Sequence, residues 1–109
     1  MEWEEEFDGL LMLAINEGLR SFAGELAAKA IYYHLERVMG AEIDQLIRSP
    51  EKFAEGLEKI FGYGAKILET IMLEKLYEKL NLNFKEKENY KFTDYVEDAK
   101  RYYQQTKSK

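Results

Sequence analysis

Apolar residues recur at three- and four-residue steps along nearly the whole chain, the period of an amphipathic helix rather than a strand. Phe7, Leu10, Leu11, Ala14, Ile15 and Gly18 form one such stripe and predict a helix from about Glu4 to Ser21, with Met12 and Leu13 widening its apolar side. Ser21-Phe22-Ala23-Gly24 reads as a break or bend, because serine caps helices and glycine weakens them. A second helix is predicted from Gly24 to Met39. Its stripe is Leu26, Ala27, Ala30, Ile31, His34, Leu35 and Val38, and Gly40 is its natural stop.

Glu42 to Ile47 reads as a short helix with Ile43 and Leu46 facing inward. Ser49-Pro50 is a start signal, since proline has no amide hydrogen to lose in the first turn. The helix it opens carries Phe53, Ala54, Leu57, Ile60 and Phe61 and stops at Gly62. Gly62-Tyr63-Gly64 then makes a tight connector to a helix over Ala65 to Leu80. Leu68, Ile71, Met72, Leu76 and Leu80 are in register there, and Ile67, Leu73 and Tyr77 widen the sector, which predicts the central helix of a bundle. Asn81-Leu82-Asn83 ends it. Phe84 to Phe92 alternates charge over Lys85-Glu86-Lys87-Glu88 and is predicted to be mostly loop, a short hairpin being the alternative. Thr93 as N-cap and Asp94 in the first turn open a last helix to about Gln105, with Tyr95, Val96, Ala99, Tyr102 and Tyr103 on one side. The pattern is an all-α fold, a compact single-domain bundle of five to six helices.

Composition acts mainly by exclusion. The chain has no cysteine, which removes disulfides, thiolate metal sites and cysteine nucleophiles together. A single histidine, His34, leaves no room for a His-rich metal site. The longest apolar run, Leu10 to Ile15, is far short of a membrane span, and the Met1-Glu2-Trp3-Glu4-Glu5-Glu6 start is acidic where a secretory signal is basic. A cytoplasmic protein without membrane contact is expected. Its 17 Glu and 12 Lys against 3 Gln carry the thermophile signal.

The net charge of -5 argues against a general nucleic-acid binder, because phosphate neutralisation supplies most non-specific affinity. The charge is uneven, however: residues 1–55 hold 5 basic and 12 acidic groups, residues 56–109 hold 11 and 9. The 99–109 tail has Lys100, Arg101, Lys107 and Lys109 and no acid. A nucleic-acid-associated regulator using that tail with Lys85, Lys87 and Lys91 therefore stays as an alternative, against the plainer reading of a solvated helix end whose cations suit the dipole.

Catalytic constellations are sparse. His34 is the only group poised near neutrality, and it sits four residues after Ala30 and four before Val38 on an apolar stripe, where a core or interface histidine is the ordinary reading. A small-ligand or catalytic pocket around His34 and Tyr33 is a further alternative, and it needs an orienting partner for the imidazole. No Glu-x-x-His pair exists to hold a di-metal centre, because Ile31 precedes His34 by three. Glu55 and Glu58, or Glu74 and Glu78, read as solvent-face partners for lysines, such as Lys59 for Glu55. Gly62-Tyr63-Gly64-Ala65-Lys66 lacks the spacing of a phosphate loop. No catalytic residue, metal or cofactor is implied, and the balance leans away from an enzyme.

The aromatic surplus is more informative. Fifteen aromatic residues are generous for a domain of this size, and the adjacent pairs Tyr32-Tyr33 and Tyr102-Tyr103 cannot both point inward. Trp3, Phe7, Tyr32, Tyr33, Tyr102 and Tyr103 are the candidate interaction surface, since large rings with a polar handle favour interfaces. The expected partner is another protein or a second copy of the chain.

Leu19-Arg20-Ser21, Tyr32-Tyr33-His34-Leu35-Glu36, Pro50 through Gly62 and Leu76-Tyr77-Glu78-Lys79-Leu80 together resemble a small archaeal helical family, the output domains of Nitrosopumilus-type archaeal signalling proteins. The most specific piece is Phe-Ala-x-x-Leu-x-x-Ile-Phe-Gly-x-Gly-Ala from Phe53 to Ala65. The resemblance covers about residues 17–98, leaving 1–16 as an N-terminal helix extension and 99–109 as a basic tail. It implies an archaeal source and a regulatory module of signalling or gene regulation, found at the effector end of regulators or standing alone. The motif is structural, so no catalytic residue is carried over from it.

Overall fold

A computed structural model describes residues 2–108. The elements are α1 (Glu2–Ala23), α2 (Glu25–Met39), α3 (Ile43–Ile47), α4 (Pro50–Phe61), a single 3-10 turn (Gly62–Gly64), α5 (Ala65–Lys79) and α6 (Phe92–Lys107). No strand occurs among the described residues, which confirms the all-α fold. The Cα radius of gyration, 13.5 Å, is close to the roughly 13 Å of a compact domain of this length.

The helix boundaries follow local chemistry. Glu2, Glu4 and Glu5 in the first turn of α1 complement the helix dipole. Gly24 takes φ 87°, a conformation that resists side chains, and this makes the break between α1 and α2. Its N–H still closes on the Arg20 carbonyl at 2.8 Å, and its own carbonyl accepts the first bond of α2 from Ala28 at 3.0 Å. Gly40 (φ 64°) ends α2 as predicted. Pro50 opens α4 behind Ser49, whose side chain makes no cap bond. Asn81 (φ 58°) ends α5 with a paired closure, Leu82 N–H to the Tyr77 carbonyl at 2.9 Å and Asn81 N–H to Glu78 at 3.0 Å.

α5 is the central helix, as its apolar sector predicts: it packs along α1 and also touches α4 and α6. Phe22 of α1 meets Phe61 just before α5, whereas Glu17 reaches Lys79 at the far end, so α1 and α5 run antiparallel. Gly18 lies at their crossing, against Met72. Gly56 plays the same part between α4 and α2, against Leu35 and Met39. The core joins Phe7, Leu11, Ile15 and Leu19 of α1 to Phe53 and Leu57 of α4, Leu68, Met72 and Leu76 of α5, and Phe92 and Val96 of α6. Among the described residues no polar or charged side chain is buried in it.

Three local expectations are corrected. Leu13 and Ile67 do not widen buried faces; they stand 51% and 62% exposed. The cap of α6 is Lys91, two residues before Thr93, because the Asp94 carboxylate at the third helical position accepts the Lys91 N–H at 2.8 Å. Finally, α2 is turned about its axis from its predicted stripe. Leu35 is buried and Ile31 half-buried as expected, but Ala28 is buried as well, while Leu26, Ala27, Ala30, His34 and Val38 are exposed.

The 84–91 segment is a loop, held by aromatic rings instead of a strand ladder. The Tyr95 ring meets that of Phe84 at a tilt and that of Tyr90 edge-on, at centroid distances of 5.1 and 4.9 Å. Its hydroxyl accepts the Lys87 N–H at 2.7 Å and donates to the Lys87 carbonyl at 3.2 Å, so one side chain ties down the loop backbone. Tyr77 donates to the Tyr95 carbonyl at 2.8 Å and Tyr90 to Asp98 at 2.7 Å.

Candidate functional site

The six aromatic residues expected at an interaction surface do not form one. Phe7 is 1% exposed and belongs to the core, its ring 6.0 Å from that of Tyr103. The correction has a simple cause: Phe7 lies one turn before Leu11 on the stripe that α1 turns inward. Trp3 is half-buried in the first turns of α1. Tyr32 is half-buried, donates to Asn16 Oδ1 at 3.1 Å, and burial pushes its phenol up to about 12. Tyr103 is half-buried and donates to Glu6 at 2.7 Å. Tyr33 and Tyr102 are the exposed members, at 62% and 38%. Glu6 and Asn16 are about 15 Å apart along α1, so Tyr32 and Tyr103 sit at separate places on the bundle.

His34 is exposed and makes no hydrogen bond or ion pair among the described residues. A shallow, open hollow of about 470 Å³ is lined by Tyr33, Glu36 and Arg37, and His34 is not among its lining residues. The imidazole stands in water because α2 presents that side outward. No group of acidic and histidine side chains among the described residues is arranged to hold a metal ion.

Two features replace the expected surface. The first is the outer side of α2. Leu26 is 84% exposed and Tyr33 62%, with exposed Ala27, Ala30, His34, Arg37 and Val38 around them. The Arg37 guanidinium lies 5.7 Å from the Tyr33 ring centroid, within cation–π range. The helix is held by α1, α3 and α4 from one side. The sequence contains this signal, since both sides of α2 carry apolar residues and only one could be inside.

The second is an open cleft of about 1150 Å³ between α4, the start of α5 and the 84–93 segment. Glu55, Glu58 and Glu69 line one part and Phe84, Tyr90 and Tyr95 another. Glu69 is half-buried. Burial, then the nearby Glu58 charge, push its carboxyl up to about 7, and Lys66 offsets this in part. A carboxyl whose folded pKa lies above its unfolded value favours the fold fully below about 4.5, and loses that advantage as pH rises through about 7. Glu69→Gln is therefore expected to raise the Tm at pH 8 and to leave it nearly unchanged at pH 4. Thermal melts at both values check this, and equal shifts at the two would remove the electrostatic explanation.

Three basic residues of the C-terminal half are paired with the chain's own carboxylates. Arg101 lies 3.4 Å and Lys87 3.6 Å from Asp98, and Lys107 lies 3.7 Å from Glu6. Lys109 lies outside the described residues. No helix among the described residues is long and apolar enough to cross a membrane.

Compared with known proteins, the chain has no significant match among curated proteins or solved structures. A family model does match, over residues 5–101. That span takes in most of α1 and the first part of the C-terminal segment, and is wider at both ends than residues 17–98. It includes every helix that builds the core, and on that match the chain belongs to the Nitrosopumilus output domain 5 family.

Proposed function

We propose that this chain is a non-enzymatic protein-interaction module, an output domain of archaeal signalling or gene regulation, and that the outer side of α2 is its contact surface. The observation that carries the reading is the exposure of Leu26 and Tyr33 on a helix whose inner side already meets the core. Large apolar side chains grouped on one exposed face are a feature of interaction sites, whereas scattered ones are not. Membership of an output-domain family fits a domain that passes a signal through contact. The pairing of Arg101, Lys87 and Lys107 with Asp98 and Glu6 favours this reading over nucleic-acid binding through the tail.

The test is a paired retention experiment with the wild-type chain and a Leu26→Lys/Tyr33→Ser variant, after circular dichroism has shown equal helix content. Retention of a protein, a second copy included, by wild type alone is the expected result. Equal retention by both removes α2 from the reading. If neither chain retains anything, and the chain instead shifts on DNA or RNA at low salt, the nucleic-acid alternative replaces it.

A further inference from the structure

From the same face of α2 we infer the occupant: a second copy of this chain, docked α2 against α2 in antiparallel orientation about a two-fold axis between Ala30 and Tyr33. The inference rests on the interaction-module reading and adds the identity and geometry of the partner.

Leu26, Ala30, Tyr33 and Arg37 follow one another at steps of four, three and four, the spacing of a coiled-coil seam, and all four are exposed. A helix that repeats this step presents them along one narrow line. In the antiparallel arrangement Ala30 lies opposite Tyr33 of the second copy, so a small side chain receives a large one, twice by symmetry. Leu26 lies opposite Arg37 of the second copy. The Arg37 stem covers the leucine, and its guanidinium, already over the Tyr33 ring, reaches water at the edge of the seam.

The flanking charges choose the same orientation. Lys29 and Glu36 lie on one side of the seam, so in the antiparallel pair Lys29 of each copy approaches Glu36 of the other, and two opposite-charge pairs form. Lys29 makes no ion pair within the chain among the described residues. Glu36 gives one carboxylate oxygen to the Ile43 N–H at 2.8 Å and keeps the other. Ala27 and His34 flank the opposite side and face each other without like charges. The parallel arrangement fails on the same residues, because it sets Arg37 against Arg37 in the seam and Ala30 against Ala30, which brings like charges together and leaves no pocket for Tyr33. An isologous contact of this kind closes at two copies and leaves no face open for further growth.

Light scattering on a sizing column over a wide concentration range, combined with cysteine cross-linking, tests the inference; the chain has no cysteine of its own. The wild type is expected to pass from monomer to dimer. Ala30→Glu is expected to abolish the dimer, and Lys29→Glu to raise its dissociation constant at least about tenfold by setting two glutamates against each other at each end of the seam. Both positions are exposed on a helix, so helix content should hold, and so should the Tm at concentrations where the wild type is monomeric. A Leu26→Cys chain mixed with an Arg37→Cys chain is expected to give the mixed disulfide, and Leu26→Cys alone none.

A monomer at every concentration, a dimer indifferent to both charge variants, or same-site disulfides from Leu26→Cys each overturn the inference. A monomeric chain that still retains a different protein through Leu26 and Tyr33 overturns only the second-copy occupant and leaves the interaction-module reading standing.

Discussion

Gly18→Leu is expected to destabilise the fold by about 3 kcal/mol or more, seen as a Tm roughly 10–20 °C lower and a lower urea midpoint. A Cβ at position 18 would lie 2.8 Å from Met72 Cγ and 3.0 Å from Met72 Cα. The first contact is relieved by turning a flexible side chain. The second is backbone, and only separating α1 from α5 relieves it. This crossing joins the two helices that share the longest interface in the fold, so separation loosens Ile15, Leu19, Leu68 and Leu76 together. Alanine at the same position is a graded control. It gains about 1 kcal/mol of helix propensity over glycine and meets the same Met72 backbone, so the two effects partly cancel. A leucine variant that melts with the wild type would mean that α1 and α5 can move apart freely, and the packing account of Gly18 would be lost.

Phe53→Ala should cost about 3–5 kcal/mol, enough to remove most of the stability of a domain this size. Phe53 is 1% exposed, and its ring lies 5.9 Å from Phe92, the first residue of α6. Truncation leaves a cavity where α4 meets α6 and withdraws the aromatic pair that holds the start of the last helix. Phe53→Leu keeps most of the volume and should lose less than about 1.5 kcal/mol. Denaturant titration of the three proteins separates the two contributions. If alanine and leucine are equally mild, the site collapses around the smaller side chain and α6 is held elsewhere.

The helix plan was legible because its punctuation is chemical. Gly24, Gly40, Pro50, Gly62 and Asn81 are residues that a continuing helix penalises or that its ends favour, and each marks a boundary in the structure. Orientation was harder to read. In α2 the predicted stripe joined the exposed Leu26, Ala30, His34 and Val38 to the half-buried Ile31 and the buried Leu35, and it left out Ala28 and Met39, which also turn inward. Periodicity reports that a stripe exists and not which of two stripes meets the core. Phe7 is the opposite case: its spacing to Leu11 and Ala14 already placed it inside, and the weight given to aromatic content obscured this. The cleft was beyond sequence reading for another reason. Glu58 and Glu69 lie on successive helices and the 84–93 segment arrives after a further turn of chain, so only packing brings them together. Glu69 itself reads as one more glutamate on a charged helix, and nothing local announces its burial.

The contact between Glu6 and both Tyr103 and Lys107 has a consequence for how this fold can be joined to other polypeptides. It brings the opening turns of α1 beside the closing turns of α6, so a chain that enters the bundle at α1 leaves it next to its own point of entry. Such a unit can be spliced into a loop of a host protein without prising the host apart. A short tether across the two ends would close the circle, and the Gly62–Gly64 turn, with Tyr63 wholly in solvent, is then the natural place to open new ones. Neither joint falls within α2, so a permuted chain would keep that helix whole.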